Sequence, residues 1–224
     1  MMSDIQARPG DTAANDRAEE EALFYHEAAL NAAWTGSRLL MGALAFGFGA
    51  FVFAYFYLRS INAHGMWRPP GFIGPHLWAG TLIMAVVVVS AAVATVALQR
   101  LKVGAKAAWQ LGSVIALVLG LFGVGLQIWE LLSLPFFPGG SGFASVFVGF
   151  YPVYLVVALA AMIWFETLIV RGAKLPAAWF AEPPAARDDF IVLQRFQAGL
   201  SGFTAVWNFL AAIAILAWIL FYLV

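Results

Sequence analysis

The sequence predicts an all-α integral membrane protein with five transmembrane helices, its N-terminus inside and its C-terminus outside. Three observations lead there. Of the 224 residues, 63% are hydrophobic and only 11% are charged, against roughly 25% charged in a typical soluble domain. Five stretches are free of charge over a length sufficient to cross a bilayer. The Lys and Arg residues between them fall almost entirely on one side. A soluble chain this short could not bury so much apolar surface, because surface area falls too slowly with size. A bilayer removes the difficulty by acting as the solvent.

The chain divides into residues 1–33, an acidic lead-in, and residues 34–224, the five-helix transmembrane domain. Seven of the twelve acids (Asp4, Asp11, Asp16, Glu19, Glu20, Glu21 and Glu27) precede the first apolar run. Residues 1–22 lack the basic start and apolar core of a signal peptide. Their acidic, Gly-, Pro-, Ser- and Thr-containing composition predicts a disordered tail. Residues 18–33 combine helix formers with Leu23, Phe24, Tyr25 and Leu30. Two readings fit them: a helix lying at the membrane interface, or a solvated helical lead-in to the first span.

The five uncharged runs are residues 39–58, 77–98, 107–129, 143–165 and 198–224. About 20 residues of helix cover the ~30 Å hydrocarbon core. The runs are continuously apolar, whereas barrel strands would alternate over about ten residues. Residues 59–76 carry Asn62, Gly65, Pro69, Pro70, Gly71, Gly74 and Pro75, which is loop chemistry. Residues 99–106 form a short basic turn. Residues 134–142 (LPFFPGGSG) form an uncharged loop, and residues 171–197 a longer mixed one with Pro176, Pro183 and Pro184.

Cations give the direction. Arg8, Arg17, Arg38, Arg100, Lys102, Lys106, Arg171, Lys174, Arg187 and Arg195 fall on one side, and only Arg59 and Arg68 on the other. The positive-inside rule places the ten in the cytoplasm, or in the matrix of an organelle. Small residues four apart (Ala43 with Gly47, Ala45 with Gly49), and Gly112, Gly120, Gly123 and Gly125 on the third span, predict close helix packing.

Few residues in the spans could carry chemistry. An ionisable group inside a membrane is costly and therefore informative. Glu130 ends the third span, beside Trp129 and one turn after Gln127. Glu166 lies near the inner end of the fourth. Each reads either as part of a proton relay or headgroup contact, or as an interfacial carboxylate reaching water, with Glu166 pairing to Arg171. For Glu130, the adjacent Gln127 suggests a buried hydrogen-bonded pair. Asn208, in the apolar last span, should bond to a neighbouring helix rather than face lipid. His26, His64 and His76 all lie outside the span centres, where haem or copper ligands would be needed. With no Cys there are no disulfides, thiolate metal sites or Cys nucleophiles. No Ser/His/Asp set, paired-carboxylate set or phosphate-binding Gly loop is present. No redox cofactor or metal is expected in this chain.

Several segments in order resemble subunit III of cytochrome c oxidase, in the five-helix form found in bacterial haem–copper oxidases. FVFAYFYLR (51–59) is similar to the end of that family's first helix in this form. MWRPPGFIGPHLWAGTLIM (66–84) is similar to its Trp- and Pro-containing loop and the helix that follows. LGLFGVGLQIWELL, ending at Leu132, resembles its Gly-rich helix with a Gln-x-x-Glu ending, matched here by Gln127 and Glu130. GFASVFVGFYPVYLVVAL (142–159) and AVWNFLAAIAILAWILFYL (205–223) resemble the fourth and last helices. The likeness covers about residues 35–224. The family's paired His of the fourth helix fall at Tyr151 and Tyr154, with Pro152 where Gly is usual. The His and Asp of its last helix fall at Asn208 and Ala211, and the acid of its first helix has no counterpart in MGALAFGFGAF (41–51).

The resemblance implies a non-catalytic accessory subunit of a terminal oxidase in the cell inner (plasma) membrane, serving aerobic respiratory electron transport. It implies partnership with catalytic subunit I and with subunit II, which would hold the haem and copper, and contacts with phospholipids. The positions it carries over are Arg59, Trp67, Gln127, Trp129, Glu130 and Trp207. Roles of the missing His, Asp and Glu do not transfer. The rival readings are a small membrane transporter, or an accessory subunit of another membrane complex. A lipid- or quinone-directed enzyme built on Glu130 and His76 is a third.

Overall fold

The computed structural model describes residues 9–62 and 65–224. The described chain is helical without strands. Its elements are α1 (Pro9–Ile61), α2 (Leu77–Lys102), α3 (Lys106–Leu132), α4 (Gly142–Lys174), the short α5 (Ala178–Ala181) and α6 (Arg187–Trp218). A π-helical turn (Ile219–Leu223) continues α6. Five of the helices contain segments long and apolar enough to cross a membrane: Trp34–Ile61, Leu77–Lys102, Lys106–Leu132, Gly142–Lys174 and Asp188–Leu223. This is a multi-pass membrane protein.

The spans coincide with the five apolar runs but extend past them. A hydropathy reading stops at the first charge, while a helix continues through the interface because exposed Lys and Arg side chains reach water on their own stems. Thus α4 runs on to Lys174, and α6 begins at Arg187 rather than at Ala198. The expected 171–197 connection shrinks to the segment between those two helices, with α5 inside it.

The N-terminal expectation needs a larger correction. Residues 9–22, read as a disordered tail, belong to α1. No Pro occurs between Pro9 and Pro69, and residues 13–33 are rich in Ala and Glu. Good helix formers attached to an existing span need no new nucleus. At 53 residues, about 80 Å of helix, α1 far exceeds a bilayer crossing. Residues 1–8, the start of the expected tail, lie outside the described residues.

Around the bundle, α1 packs on α4 and α6, α2 on α3 and α6, and α3 on α4; α4 and α6 also meet. α6 therefore touches three other spans. Its Phe203 stacks on Phe165 of α4, with ring centroids 4.2 Å apart, and its buried Leu200, Val206 and Leu210 extend the same seam. By contrast α1 lies at the margin: only 11% of its apolar window is buried, and Phe46, Phe53, Phe56 and Tyr57 are exposed.

Close packing uses some of the expected small residues and not others. A Cβ on Gly112 would meet the Ala97 Cβ at 2.9 Å, one on Gly120 the Met162 Sδ at 2.3 Å, and one on Gly123 the Val87 side chain at 3.2 Å. Gly47, Gly49 and Gly125 face open space, with nothing within 4 Å. Among the described residues nothing packs against Gly47 and Gly49, and the small pairs of the first span lie on the exposed side of its marginal helix.

The short α2–α3 turn passes through Gly104 at φ 81°, a conformation that favours glycine. Lys106 then reaches across to α4. Its Nζ donates to the carbonyl of Ala173 at 2.9 Å and to that of Leu175. A cation at a helix C-terminus meets carbonyls with no intrahelical partner and the negative end of the helix dipole.

Candidate functional site

Gln127 and Glu130 are three residues apart on α3, so their side chains share one face. That face also carries Gly120, Gly123 and Val124, all buried. Gln127 is 2% exposed and Glu130 only 1%. A buried carboxylate requires partners, and the C-terminal turn supplies one. The Tyr222 hydroxyl donates to Glu130 Oε1 at 2.6 Å.

The approach of Tyr222 depends on α2. A Cβ on Gly80 would lie 2.2 Å from the Tyr222 Cζ, so only glycine leaves room for the ring. From α4, Tyr151 faces the same spot, its ring centroid 6.5 Å from that of Tyr222. Tyr154, one turn further, donates its hydroxyl to the Leu210 carbonyl of α6 at 3.1 Å. Four helices and the terminal turn converge on one carboxylate.

Between Gln127, Glu130, Tyr151 and Tyr154 lies a small cavity. Its space for the centre of a water molecule is about 10 Å³, room for about one water. The Gln127 Nε2 is buried, has no hydrogen-bond partner among the described residues and belongs to a residue lining that cavity. The expected Gln127–Glu130 cluster is therefore assembled, but Glu130 bonds to Tyr222 rather than to Gln127.

Above the cluster, the neighbouring ends of α2 and α3 carry an aromatic group. Trp78 and Trp129 lie 5.4 Å apart, each near His76. All three residues are exposed, as suits rings at a lipid–water border. Trp129 is thus adjacent to Glu130 in sequence but faces outward.

The other candidate positions serve different parts of the bundle. Trp207 is fully buried, and its Nε1 donates to Ser90 Oγ at 3.1 Å; Ser90 Oγ in turn donates to the Ala116 carbonyl at 2.7 Å. This chain links α6, α2 and α3. Asn208 donates from Nδ2 to Thr95 Oγ1 of α2 at 2.9 Å and to the Thr204 carbonyl at 2.8 Å. It makes the expected interhelical bond, yet the residue stays exposed at the bundle surface. Trp67 is half-buried in the loop after α1, edge-on to Tyr55 at 5.0 Å and to Phe143 at 5.8 Å. Arg59 is partly buried in the last turn of α1.

Glu166 is exposed on α4, and among the described residues no ion pair joins it to Arg171. Five residues of helix separate the two by about 140°, which turns them to different faces. Among the described residues, no three His, Asp or Glu side chains gather as a metal site would require. His64 lies outside the described residues.

Sequence reasoning overlooked Tyr222, Gly80 and Ser90. One signal was present. A phenol hydroxyl within an apolar span must find an acceptor, since lipid offers none, and Glu130 was the carboxylate at the C-terminal end of the third span. Pairing it with a distant tyrosine required the three-dimensional arrangement. What the site can do chemically is bind and hold: a carboxyl, three phenols and an amide around space for one water.

No protein-family model matches the chain, and a search of curated proteins finds no match.

Proposed function

We propose that this chain is a non-catalytic accessory subunit of a haem–copper terminal oxidase, similar to cytochrome c oxidase subunit III. The observation that carries the reading is the use made of the Gln127-x-x-Glu130 motif. Both side chains turn into the bundle, and Glu130 locks α3 to the C-terminal turn. Trp207 likewise ties three spans together. Polar residues are thus committed to holding helices in place, which is what a scaffold requires. The exposed apolar face of α1 offers a broad surface to a larger partner or to lipid.

In this reading the chain sits in the cell inner membrane with its ten-cation side in the cytoplasm. It packs beside catalytic subunit I and subunit II, which carry the haem and copper, and it holds phospholipids at its surface. The resemblance would also suggest support of proton uptake, and the missing acid of the first helix weakens that part of the reading, while structural support and lipid contact do not depend on it. A transporter reading is less well supported, because the cavity beside the buried carboxylate has room for about one water rather than for a solute.

The test is purification from native membranes through a tag on this chain. The expected result is co-purification of a large haem-bearing subunit with oxidase absorption bands. Recovery of the chain without haem would overturn the proposal. Substrate flux into liposomes containing this protein alone would favour a transporter.

A further inference from the structure

We infer that the cavity beside Gln127 and Glu130 binds one water molecule, which accepts a hydrogen bond from the Gln127 amide and donates one to the Glu130 carboxylate. The inference rests on the geometry of this cluster and does not depend on the oxidase reading.

The first observation is a donor without an answer. Gln127 is 2% exposed, and its Nε2 has no hydrogen-bond partner among the described residues. A buried N–H that finds no acceptor costs its full desolvation penalty, and a surrounding bilayer gives no relief. The same residue lines the cavity, so an acceptor held there would answer it.

The second observation is size. The cavity has about 10 Å³ of space for the centre of a water molecule. That holds about one water and nothing larger.

The third observation is the wall. A cavity lined by apolar groups alone stays dry, whereas a buried water needs two to four polar partners. Here Glu130, Tyr151, Tyr154 and Tyr222 share the lining with Gln127. Glu130 Oε1 already accepts from Tyr222, but a carboxylate accepts more than one bond. Tyr154 directs its hydroxyl proton at the Leu210 carbonyl, which leaves its oxygen free to accept. A water in this place meets a donor in Gln127 and acceptors in Glu130 and Tyr154. Its own lone pairs and hydrogens match that set.

A small cation such as Na⁺ has a similar size and would suit the carboxylate. The amide decides against it: an N–H donor needs an acceptor, and a metal ion offers none. Access favours water as well. Glu130 lies two residues before the end of α3 at Leu132, and the neighbouring His76, Trp78 and Trp129 are exposed. Water therefore enters from the polar border without crossing the hydrocarbon. Once bound, it joins Gln127 and Glu130 into one polar unit although the two side chains do not bond directly. Through Tyr154 it extends the tie between α3 and the C-terminal turn to α4.

The direct test is a crystal structure of the full chain, grown in a lipidic mesophase, at a resolution that shows ordered waters. The expected result is a density peak within about 3.2 Å of Gln127 Nε2. No peak there, with waters resolved elsewhere in the protein, would overturn the site.

A thermal measurement reads the same question by its sign. Gln127→Met keeps the length of the side chain and removes the amide. If the amide has no acceptor, its removal relieves an unsatisfied donor and the unfolding midpoint in detergent rises. With water bound, the change removes one of the water's bonds, and the midpoint should fall by about 2–4 °C, the shift that one lost hydrogen bond gives in a chain of this size. A raised or unchanged midpoint overturns the inference, and if the variant fails to fold, the density on the wild type decides. The wild-type midpoint should be equal in sodium chloride and in choline chloride at one ionic strength. A rise specific to sodium would put a cation in place of the water.

Discussion

The hydroxyl of Tyr222 donates a 2.6 Å hydrogen bond to the carboxylate of Glu130, joining residues 92 positions apart in the chain. The bond fastens the last turn of the protein to the end of α3. Replacing Tyr222 by Phe keeps the ring but leaves a carboxylate buried without its donor. Such an unsatisfied group costs about 1–3 kcal/mol. Tyr222→Phe should therefore lower the thermal midpoint in detergent more than Glu130→Gln, whose amide oxygen still accepts. A double-mutant cycle should show the two changes to be coupled. Additive losses would mean that the bond contributes nothing to stability.

Gly80 makes that bond possible, and its substitution tests the approach rather than the bond. A methyl group there would sit 2.2 Å from the Tyr222 ring, far inside contact distance. Gly80→Ala should displace the ring and cost at least as much as Tyr222→Phe, and it should destabilise further when the two are combined, because the Phe ring meets the same methyl group. Gly172→Ala, facing Trp109 at 2.2 Å and Phe196 at 2.5 Å, should be similarly destabilising. Gly47→Ala and Gly125→Ala, each facing open space, should be neutral or slightly stabilising within the isolated chain, since Ala is the better helix former. Thermal unfolding of the four variants separates the two classes.

The Ser90–Trp207 contact gives a third expectation. Trp207→Phe removes a donor from a bond deep among α2, α3 and α6 while retaining an aromatic ring. Interhelical hydrogen bonds in membranes contribute about 0.6 kcal/mol on average and up to about 1.7, so a loss in that range is expected. Ser90→Ala should lose more, because the Ser hydroxyl serves both the indole and the Ala116 carbonyl. Steric-trapping measurements of unfolding free energy in bicelles would resolve the difference.

How far the sequence reaches is visible at particular residues. The spans were legible because hydrophobicity sustained over twenty residues has one physical meaning, and charge marks its ends. The burial of Gln127 and Glu130 was one of two readings that their spacing left open, the other being an interfacial carboxylate reaching water, and the fold decides for burial. The partner of Glu130 was not legible, because helix order in a bundle is decided by packing between distant segments, here by the space above Gly80. The small pairs on α1 misled for a related reason. Small residues permit close approach but do not specify which helix approaches, and α1 keeps that side exposed. The tail misled because acidity was weighed above helix propensity in a segment continuous with a span.

Lys106 provides the last expectation. Its side chain crosses from the start of α3 to the carbonyls of Ala173 and Leu175, which close the end of α4. Those carbonyls have no later helical N–H to accept from. Lys106→Met keeps the apolar stem and removes the cation. The end of α4 should then fray, while the buried Phe165–Phe203 stack deeper in the bundle keeps the rest in place. Hydrogen exchange should accelerate in the final turns of α4, residues 168–174, and remain unchanged in residues 150–160. A loss of about 0.5–1.5 kcal/mol fits a hydrogen-bonded charge at a helix C-terminus. Lys106→Arg, which keeps the charge and the donors, should restore most of the protection. If Lys106→Met exchanges at the wild-type rate throughout α4, the bridge does not hold that helix end.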